Sequence, residues 1–391
     1  MSIATTIATP TAPPVNYWED DDTAELMCRN VIEVTHDVKS FLFAAEDNRT
    51  FEFEPGQFIT LDLEIDGTHY NRCYTISSPP TRPHLLAITV KRVPGGPVSN
   101  WLHDTIVPGS TLTVKAPLGI FTLHSSPFGA AEDVTGPAAW LPTTYGAKYL
   151  FLSAGSGITP MMSMTRALFD LGSHADVLFV HNARTPIDII FRRELESMAA
   201  FMPNLKFLAI CEEDHPSERW TGLRGRITDS ALMAIAPDLH ERVIYACGPQ
   251  PYMDAVRTVL TDRGFDLRNY HEESFSFDQL PGSIRHESPD AVIGDTDTDA
   301  DGTAITYRVE FTTSGRVVRC GVDETILDAA TAAGLRLPAS CAQGMCGTCK
   351  AVKLEGDVDM NHNGGIRPKE VALGKILLCC STPLSDLQIE A

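Results

Sequence analysis

The sequence predicts a multidomain chain: an antiparallel β-barrel, an α/β doubly wound sheet and a small α+β module, in that order. Three observations predict it. Short alternating runs broken by turn residues fill 24–125. Strand and helix patterns alternate through 147–280. Cys341, Cys346 and Cys349 crowd together in 304–391, with Cys379 further on.

In chain order, residues 1–23 read as a disordered tail rich in Thr, Ala and Pro, without the basic and apolar regions of a signal peptide. Barrel strands are expected at 26–34, 38–44, 57–65, 85–93 and 111–116. Pro55-Gly56, Asp66-Gly67, Pro94-Gly95-Gly96 and Pro108-Gly109 are the turns between them. Residues 126–146 are Pro- and Gly-rich and read as a connector. Buried parallel strands follow at 149–153, 177–181, 205–210 and 243–247, separated by helices at 161–171, 192–201, 230–236 and 251–263. Residues 281–303 carry six acidic side chains and few large apolar ones, as a flexible linker does. The last module opens on paired runs, 305–312 and 316–319, and a helix at 325–333.

A net charge of −20 over 391 residues argues against nucleic acid and anionic membrane surfaces as partners. A salt-adapted host is a second source of such acidity. No run has the length and apolarity of a membrane-spanning helix. Ten scattered cysteines in a chain this long make no disulfide framework, so a reducing cytoplasm is expected.

The cysteine spacing is C-x4-C-x2-C, then 29 residues, then C. Four thiolates hold two irons, and this is the ligand spacing of a plant-type [2Fe–2S] cluster. Gly344 and Gly347 let the backbone close over the inorganic sulfides and aim N–H groups at them. A structural zinc site is the alternative, but paired C-x2-C knuckles are missing. Such a cluster moves one electron at a time.

Two further motifs sit at strand ends. Gly155-Ser156-Gly157-Ile158-Thr159-Pro160 follows an apolar strand and opens a helix, a place for a pyrophosphate. Pro160 stands where a first helical turn tolerates a missing N–H. Cys247-Gly248-Pro249 also ends a strand, before a helix carrying Met253, so both motifs should face one crevice. In the barrel, Arg72-Cys73-Tyr74-Thr75 alternates across a strand: Arg72 suits a phosphate, Tyr74 a flavin ring, Thr75 a ring nitrogen. Gly95, Gly96, Val98 and Ser99 form a glycine loop ahead of a helix.

In this order and spacing these motifs resemble the ferredoxin-NADP reductase superfamily. With the C-terminal cysteine module the chain is similar to its three-cofactor reductases, which serve Rieske-type and related oxygenases. The resemblance covers about residues 25–391 and implies a β-grasp ferredoxin domain. It chooses Cys379 over Cys380 as fourth ligand, because 379–386 resembles the ferredoxin pattern C-x3-P-x-S-D. It assigns Arg72, Cys73, Tyr74, Thr75, Thr89, Lys91 and the Gly95, Gly96, Val98, Ser99 loop to flavin, as FAD and not FMN. It assigns Gly155, Ser156, Gly157, Thr159, Pro160, Cys247, Gly248, Pro249 and Met253 to NADH. Thr75, Cys247 and Glu273 should flank the site of hydride transfer, with Phe275 beside the flavin. Cys247 is expected to fill space there, not to act as a nucleophile. Arg184 could hold the 2′-phosphate of NADPH or pair with Asp188. His36, His181 and His362 share no ligand-like spacing and are read as structural.

Within the family, residues 96–104 and 181–186 look closest to reductases of glycine betaine, carnitine and stachydrine demethylating oxygenases, and to the NADH reductase of hybrid-cluster protein. The expected path is NADH to FAD to cluster to a terminal oxygenase. A flavin and iron–sulfur sensor without turnover is the alternative of another class.

Overall fold

The computed structural model describes residues 15–16, 18, 23–45, 49–123, 146–274, 306–335, 337, 339, 344, 347 and 349–391. Most of the expected connector and the whole expected linker lie outside them.

The first module is built from β1 (Thr23–Thr35), β2 (Val38–Ala44), β3 (Phe58–Ile65), β4 (Thr68–Thr75), β5 (Leu85–Lys91), α1 (Pro97–Thr105) and β6 (Thr111–Leu118). The strand order is β4-β3-β6-β1-β2-β5. Beyond β4, Ile76 bridges Ile88 of β5, which closes the barrel. Alternate residues Phe41, Phe43, Ile59, Leu61, Leu86 and Ile88 point inward and are buried. At full burial each such side chain contributes about 2 kcal/mol of apolar transfer. Ahead of the barrel, Val15–Asn16 pairs with Arg49–Thr50, and the Trp18 ring lies 5.9 Å from Phe51. Part of the stretch read as a tail is therefore paired.

The second module holds β7 (Lys148–Ala154), α2 (Ile158–Asp170), β8 (Asp176–Ala183), α3 (Arg192–Phe201), β9 (Leu205–Cys211), β10 (Leu223–Arg224), α4 (Asp229–Ile235), β11 (Val243–Gly248), α5 (Gln250–Asp262) and β12 (Tyr270–Ser274). All its strands run parallel, in the order β10-β9-β8-β7-β11-β12. The order reverses at β7, so the crevice opens beyond the ends of β7 and β11. One sheet face, with Tyr149, Phe151, Phe179 and Tyr245, packs with α2, α3 and the barrel residues Val38, Phe121 and Leu123. The other, with Leu150, Leu152, Val180 and Ile244, packs on α4 and α5.

The third module contains β13 (Thr306–Phe311), β14 (Arg316–Gly321), α6 (Ile326–Ala332), β15 (Lys350–Glu355), β16 (Val358–Met360), α7 (Pro368–Ala372), β17 (Lys375–Leu377), β18 (Ser381–Pro383) and β19 (Leu387–Glu390). A mixed sheet of order β14-β13-β19-β15-β17 covers α6, whose N-cap Thr325 accepts from the Asp328 N–H.

The barrel is pinned to α2 by polar groups. Arg166 donates to Ser77 O at 2.6 Å, Ser163 to Ser78 O at 2.7 Å, and Arg82 pairs with Asp170 at 2.7 Å. The segment leaving β6 also joins the modules, since Tyr245 donates to Thr122 O at 3.0 Å and packs edge-on against Phe121.

Candidate functional site

At the C-terminal edge of the parallel sheet, register aligns four residues. Glu273 pairs with Cys247, Cys247 with Ser153, and Ser153 with His181. Cross-strand partners share a face. The row therefore lies on the barrel side, two residues beyond Phe151, Phe179 and Tyr245 along three of its strands. All four members are buried.

Burial sets the protonation of this row. It pushes the Glu273 carboxyl up to about 8 and the Cys247 thiol well above its ordinary range, helped by Glu273. Cys247 is thus a thiol at neutral pH, not a nucleophilic thiolate. His181 is held down to about 3 by burial and then by Lys91, so it is neutral. Ser153 Oγ lies 2.8 Å from His181 Nδ1. Among the described residues, Thr75 Oγ1, Glu273 Oε2 and His181 Nε2 are buried without a hydrogen-bond partner. Each such atom costs about 1–3 kcal/mol unless a ligand meets it.

The two glycine motifs touch. A Cβ on Gly157 would overlap Cys247 O and come within 2.7 Å of Gly248 N. Gly155 has φ +54, and Thr159 Oγ1 donates to Ser156 O at 3.1 Å to close the turn before α2. No side chain caps α2, and the Ile158 N–H that opens it bonds back to Gly155 O in the turn that leads into the helix. These features suit a dinucleotide pyrophosphate. Pro249 is the residue before α5. Met253 is different: it is 1 % exposed inside the core on the opposite sheet face, so it packs and does not line the crevice.

On the barrel, Thr75 is buried at the end of β4, while Arg72, Cys73 and Tyr74 are half-buried. Arg72 donates to Asn71 O at 2.9 Å, and Cys73 Sγ lies 3.5 Å from Thr60 Oγ1. Thr89 turns inward, bonded to Ser40 at 2.7 Å and Ser77 at 2.8 Å, so its hydroxyl serves the barrel wall. Lys91 pairs with Asp37 at 3.4 Å. Gly95 has φ +73, and a Cβ on Gly96 would come within 2.8 Å of Ser99 Oγ. Val98 is buried in the barrel core, and Ser99 accepts from the Val93 N–H at 3.1 Å. Gly96 caps α1 with no side chain, which leaves N–H groups for a phosphate.

Arg184 is 62 % exposed and pairs with Asp188 at 3.4 Å. It lines a pocket with Thr185, Asp188, Glu213, Asp214 and His215. His36 stands 3.8 Å from Asp188, and His362 Nδ1 accepts from the Gly364 N–H at 3.1 Å.

In the third module Cys349 and Cys379 are buried in one core. Gly344 donates its N–H to Cys379 Sγ at 3.2 Å, as a cluster thiolate would require, while Cys380 Sγ donates to Leu377 O at 3.6 Å. Gly344 and Gly347 have φ +66 and +69, and Cβ atoms there would crowd Cys380 Sγ and Gly365 O. The chemistry of this donor set suits an iron–sulfur cluster. Cys341, Cys346 and Phe275 lie outside the described residues.

Sequence reasoning missed Ser153 and the partnership of His181 with it. The available signal was position: Ser153 stands two residues before Gly155, and His181 three before Arg184.

A closed barrel, a doubly wound sheet and a cysteine-bearing α+β module, with their motifs at strand ends, define a modular electron-transfer reductase. Family models match accordingly: an oxidoreductase FAD-binding domain over residues 25–123, an oxidoreductase NAD-binding domain over 151–258 and a 2Fe-2S iron-sulfur cluster binding domain over 309–384. Glycine betaine monooxygenase reductase subunits are similar over nearly the whole length. That of Pseudomonas aeruginosa is 44 % identical, covering 93 % of this chain and 94 % of its own. That of Chromohalobacter salexigens is 45 % identical with the same coverage. The stachydrine N-demethylase reductase subunit of Rhizobium meliloti is 39 % identical over 96 % of this chain and 98 % of its own. The fold is that of phthalate dioxygenase reductase, at TM-score 0.53, 23 % identity, 94 % of this chain and 98 % of that one. The chain belongs to the family of FAD-, NAD- and [2Fe–2S]-binding reductase subunits that these relatives represent. It is an oxidoreductase, and among its described residues no helix is long and apolar enough to cross a membrane.

Proposed function

We propose that this chain is the NADH-dependent reductase of a Rieske-type oxygenase that demethylates a quaternary-ammonium compound such as glycine betaine. The carrying observation is the near-full-length similarity to two glycine betaine monooxygenase reductase subunits. When bound, FAD takes a hydride from NADH and releases its electrons singly to the cluster.

The chain's own residues position and exclude water. Gly155, Ser156, Gly157, Thr159 and Pro160 cradle the coenzyme phosphates, with Gly248 and Pro249 on the far wall. Thr75, Cys247 and Glu273 enclose the hydride path. Cys247 fills space as a neutral thiol, and neutral Glu273 offers a proton donor from a dry wall. Arg72, Tyr74, Gly95 and Gly96 hold the flavin, with Val98 anchoring their loop in the barrel core, and Cys341, Cys346, Cys349 and Cys379 hold the cluster. NADH is favoured over NADPH, because Asp188, Glu213 and Asp214 beside Arg184 would repel a 2′-phosphate. Buried thiols such as Cys28, Cys211 and Cys320 suit a cytoplasmic setting.

The test is reconstitution with the oxygenase component and NADH. Demethylation of glycine betaine should require both proteins, with formaldehyde released as NADH is consumed. NADH oxidation with cytochrome c as acceptor, but no product with any quaternary-ammonium substrate, would remove the substrate assignment and keep the reductase. No NADH-driven bleaching of flavin at all would favour the sensor.

A further inference from the structure

We infer that Gly119 and Ile120, at the turn leaving the barrel, form the seat on which the cluster module docks through Gly364. This contact sets the rate of electron transfer from flavin to cluster. The inference rests on the reductase reading above and adds where the one-electron step crosses between modules.

The contact is backbone on backbone. Gly364 is buried with φ +83, and a Cβ there would come within 2.7 Å of Gly119 Cα and 3.0 Å of Ile120 N. Glycine is therefore required twice, by conformation and by space. On the cluster side the contact leads inward by hydrogen bonds. Gly365 donates to Gly344 O at 2.9 Å, Asn363 donates to the same oxygen at 3.2 Å, and Gly344 donates to Cys379 Sγ at 3.2 Å. On the barrel side it leads toward the flavin strand. A Cβ on Gly119 would meet the Phe58 ring at 3.1 Å, and Gln57 donates to Gly119 O at 3.4 Å. Phe58 pairs in register with Thr75, and Ile76 donates to Gln57 O at 2.8 Å.

The result is an unbroken chain of contacts from Thr75 to Cys379: a β-ladder pair, a packed ring, a backbone contact and two hydrogen bonds. Each hydride brings two electrons. Two successive one-electron passages clear it, each reducing one ferric iron to ferrous, and the proton goes to water. The partner oxygenase, or an added acceptor, takes the first electron before the second crosses. Ile120 is 57 % exposed beside the contact, so it can be changed without opening a core.

The experiment uses the full chain loaded with FAD and cluster, as wild type, Ile120→Glu and Gly364→Ala. Anaerobic rapid mixing with NADH follows flavin bleaching and cluster bleaching separately. Hydrogen exchange is measured over 118–123 and 361–367. Both variants should keep the rate of flavin bleaching and slow cluster bleaching by about tenfold or more, because the cluster module loses the seat that holds it close to the flavin strand. Ile120→Glu should also raise exchange in 361–367, across the module boundary, and leave the electron paramagnetic resonance spectrum of the reduced cluster unchanged. Unchanged cluster bleaching in Ile120→Glu, or unchanged exchange in 361–367, overturns the docking. If NADH bleaches no flavin in the wild type, the proposed function fails, while the exchange arm still decides the docking.

Discussion

Two polar regions border the proposed cofactor crevice, and they are built in opposite ways. The polar side chains of the loop and helix at 93–105 satisfy themselves. Asn100 donates to Val93 O at 3.0 Å and Gly96 O at 2.7 Å, and Ser99 accepts from the Val93 N–H. Arg92 donates to Asn100 Oδ1 at 3.2 Å and pairs with Asp104 at 2.6 Å. The strand-end row does not. Glu273 and His181 each bury an atom with no partner among the described residues. The difference separates scaffold from site: a polar group that serves shape is closed by its neighbours, while one that serves a ligand is left open.

The cysteine pair offers the sharpest way to break this rule. Cys380 donates to the Leu377 carbonyl, while Cys379 accepts the N–H of Gly344, which stands between Cys341 and Cys346 in the sequence. Cys379→Ser should abolish the visible absorbance of the cluster and transfer to the partner. Cys380→Ser should keep both. The reverse pattern would exchange their roles.

The next largest effect is at Gly157. A methyl there overlaps Cys247 O, which belongs to rigid backbone. Gly157→Ala should push the two nucleotide motifs apart, costing about 1–3 kcal/mol of stability and about a hundredfold in NADH-driven flavin bleaching. Dithionite should still bleach the flavin at the wild-type rate, because the barrel is untouched.

The row itself predicts opposite pH slopes at its two ends. Glu273 moves from an ordinary 4.5 to about 8 on folding, so the folded state holds its proton longer. Stability is then lost as pH rises from 4.5 through about 8. His181 moves from 6.5 down to about 3, so the unfolded state takes its proton first, and stability is lost as pH falls below 6.5. Glu273→Gln should raise the unfolding midpoint relative to wild type increasingly between pH 6.5 and 8. His181→Gln should do so increasingly below 6.5. Parallel curves for wild type and both variants would show that neither group is held as described.

The sequence marks motif positions and not the hydrogen bonds that close a side chain. Glycine pairs at strand ends and clustered cysteines are local signals that point to Gly157, Cys247 and Cys379, and strand alternation points to Thr75. Thr89, Ser99 and Met253 were read toward cofactors because motif position does not reveal which way a side chain is satisfied. Thr89 closes onto Ser40 and Ser77, Ser99 onto Val93, and Met253 into an apolar core. The row was invisible because register between strands is nonlocal. In the third module, β17 and β18 have three residues each, too few to show an alternating pattern. The contact of Gly364 with Gly119 joins positions far apart in the chain, and nothing local marks it.

The smallest effect tests the closed side of the comparison. Asn100→Ala removes two donors to backbone oxygens and an acceptor for Arg92, all serving the loop that leads into α1. Water can reach this half-buried position, so the loss should be about 1 kcal/mol, not the larger cost of an orphaned buried group. The unfolding midpoint should fall by a few degrees, and FAD should dissociate somewhat faster as the loop loosens. The rate of hydride transfer per bound flavin should not change, because nothing in 93–105 belongs to the hydride path. A slower hydride step at full flavin occupancy would mean that this loop also shapes the crevice, and the division between closed scaffold and open site would have to be redrawn through Asn100.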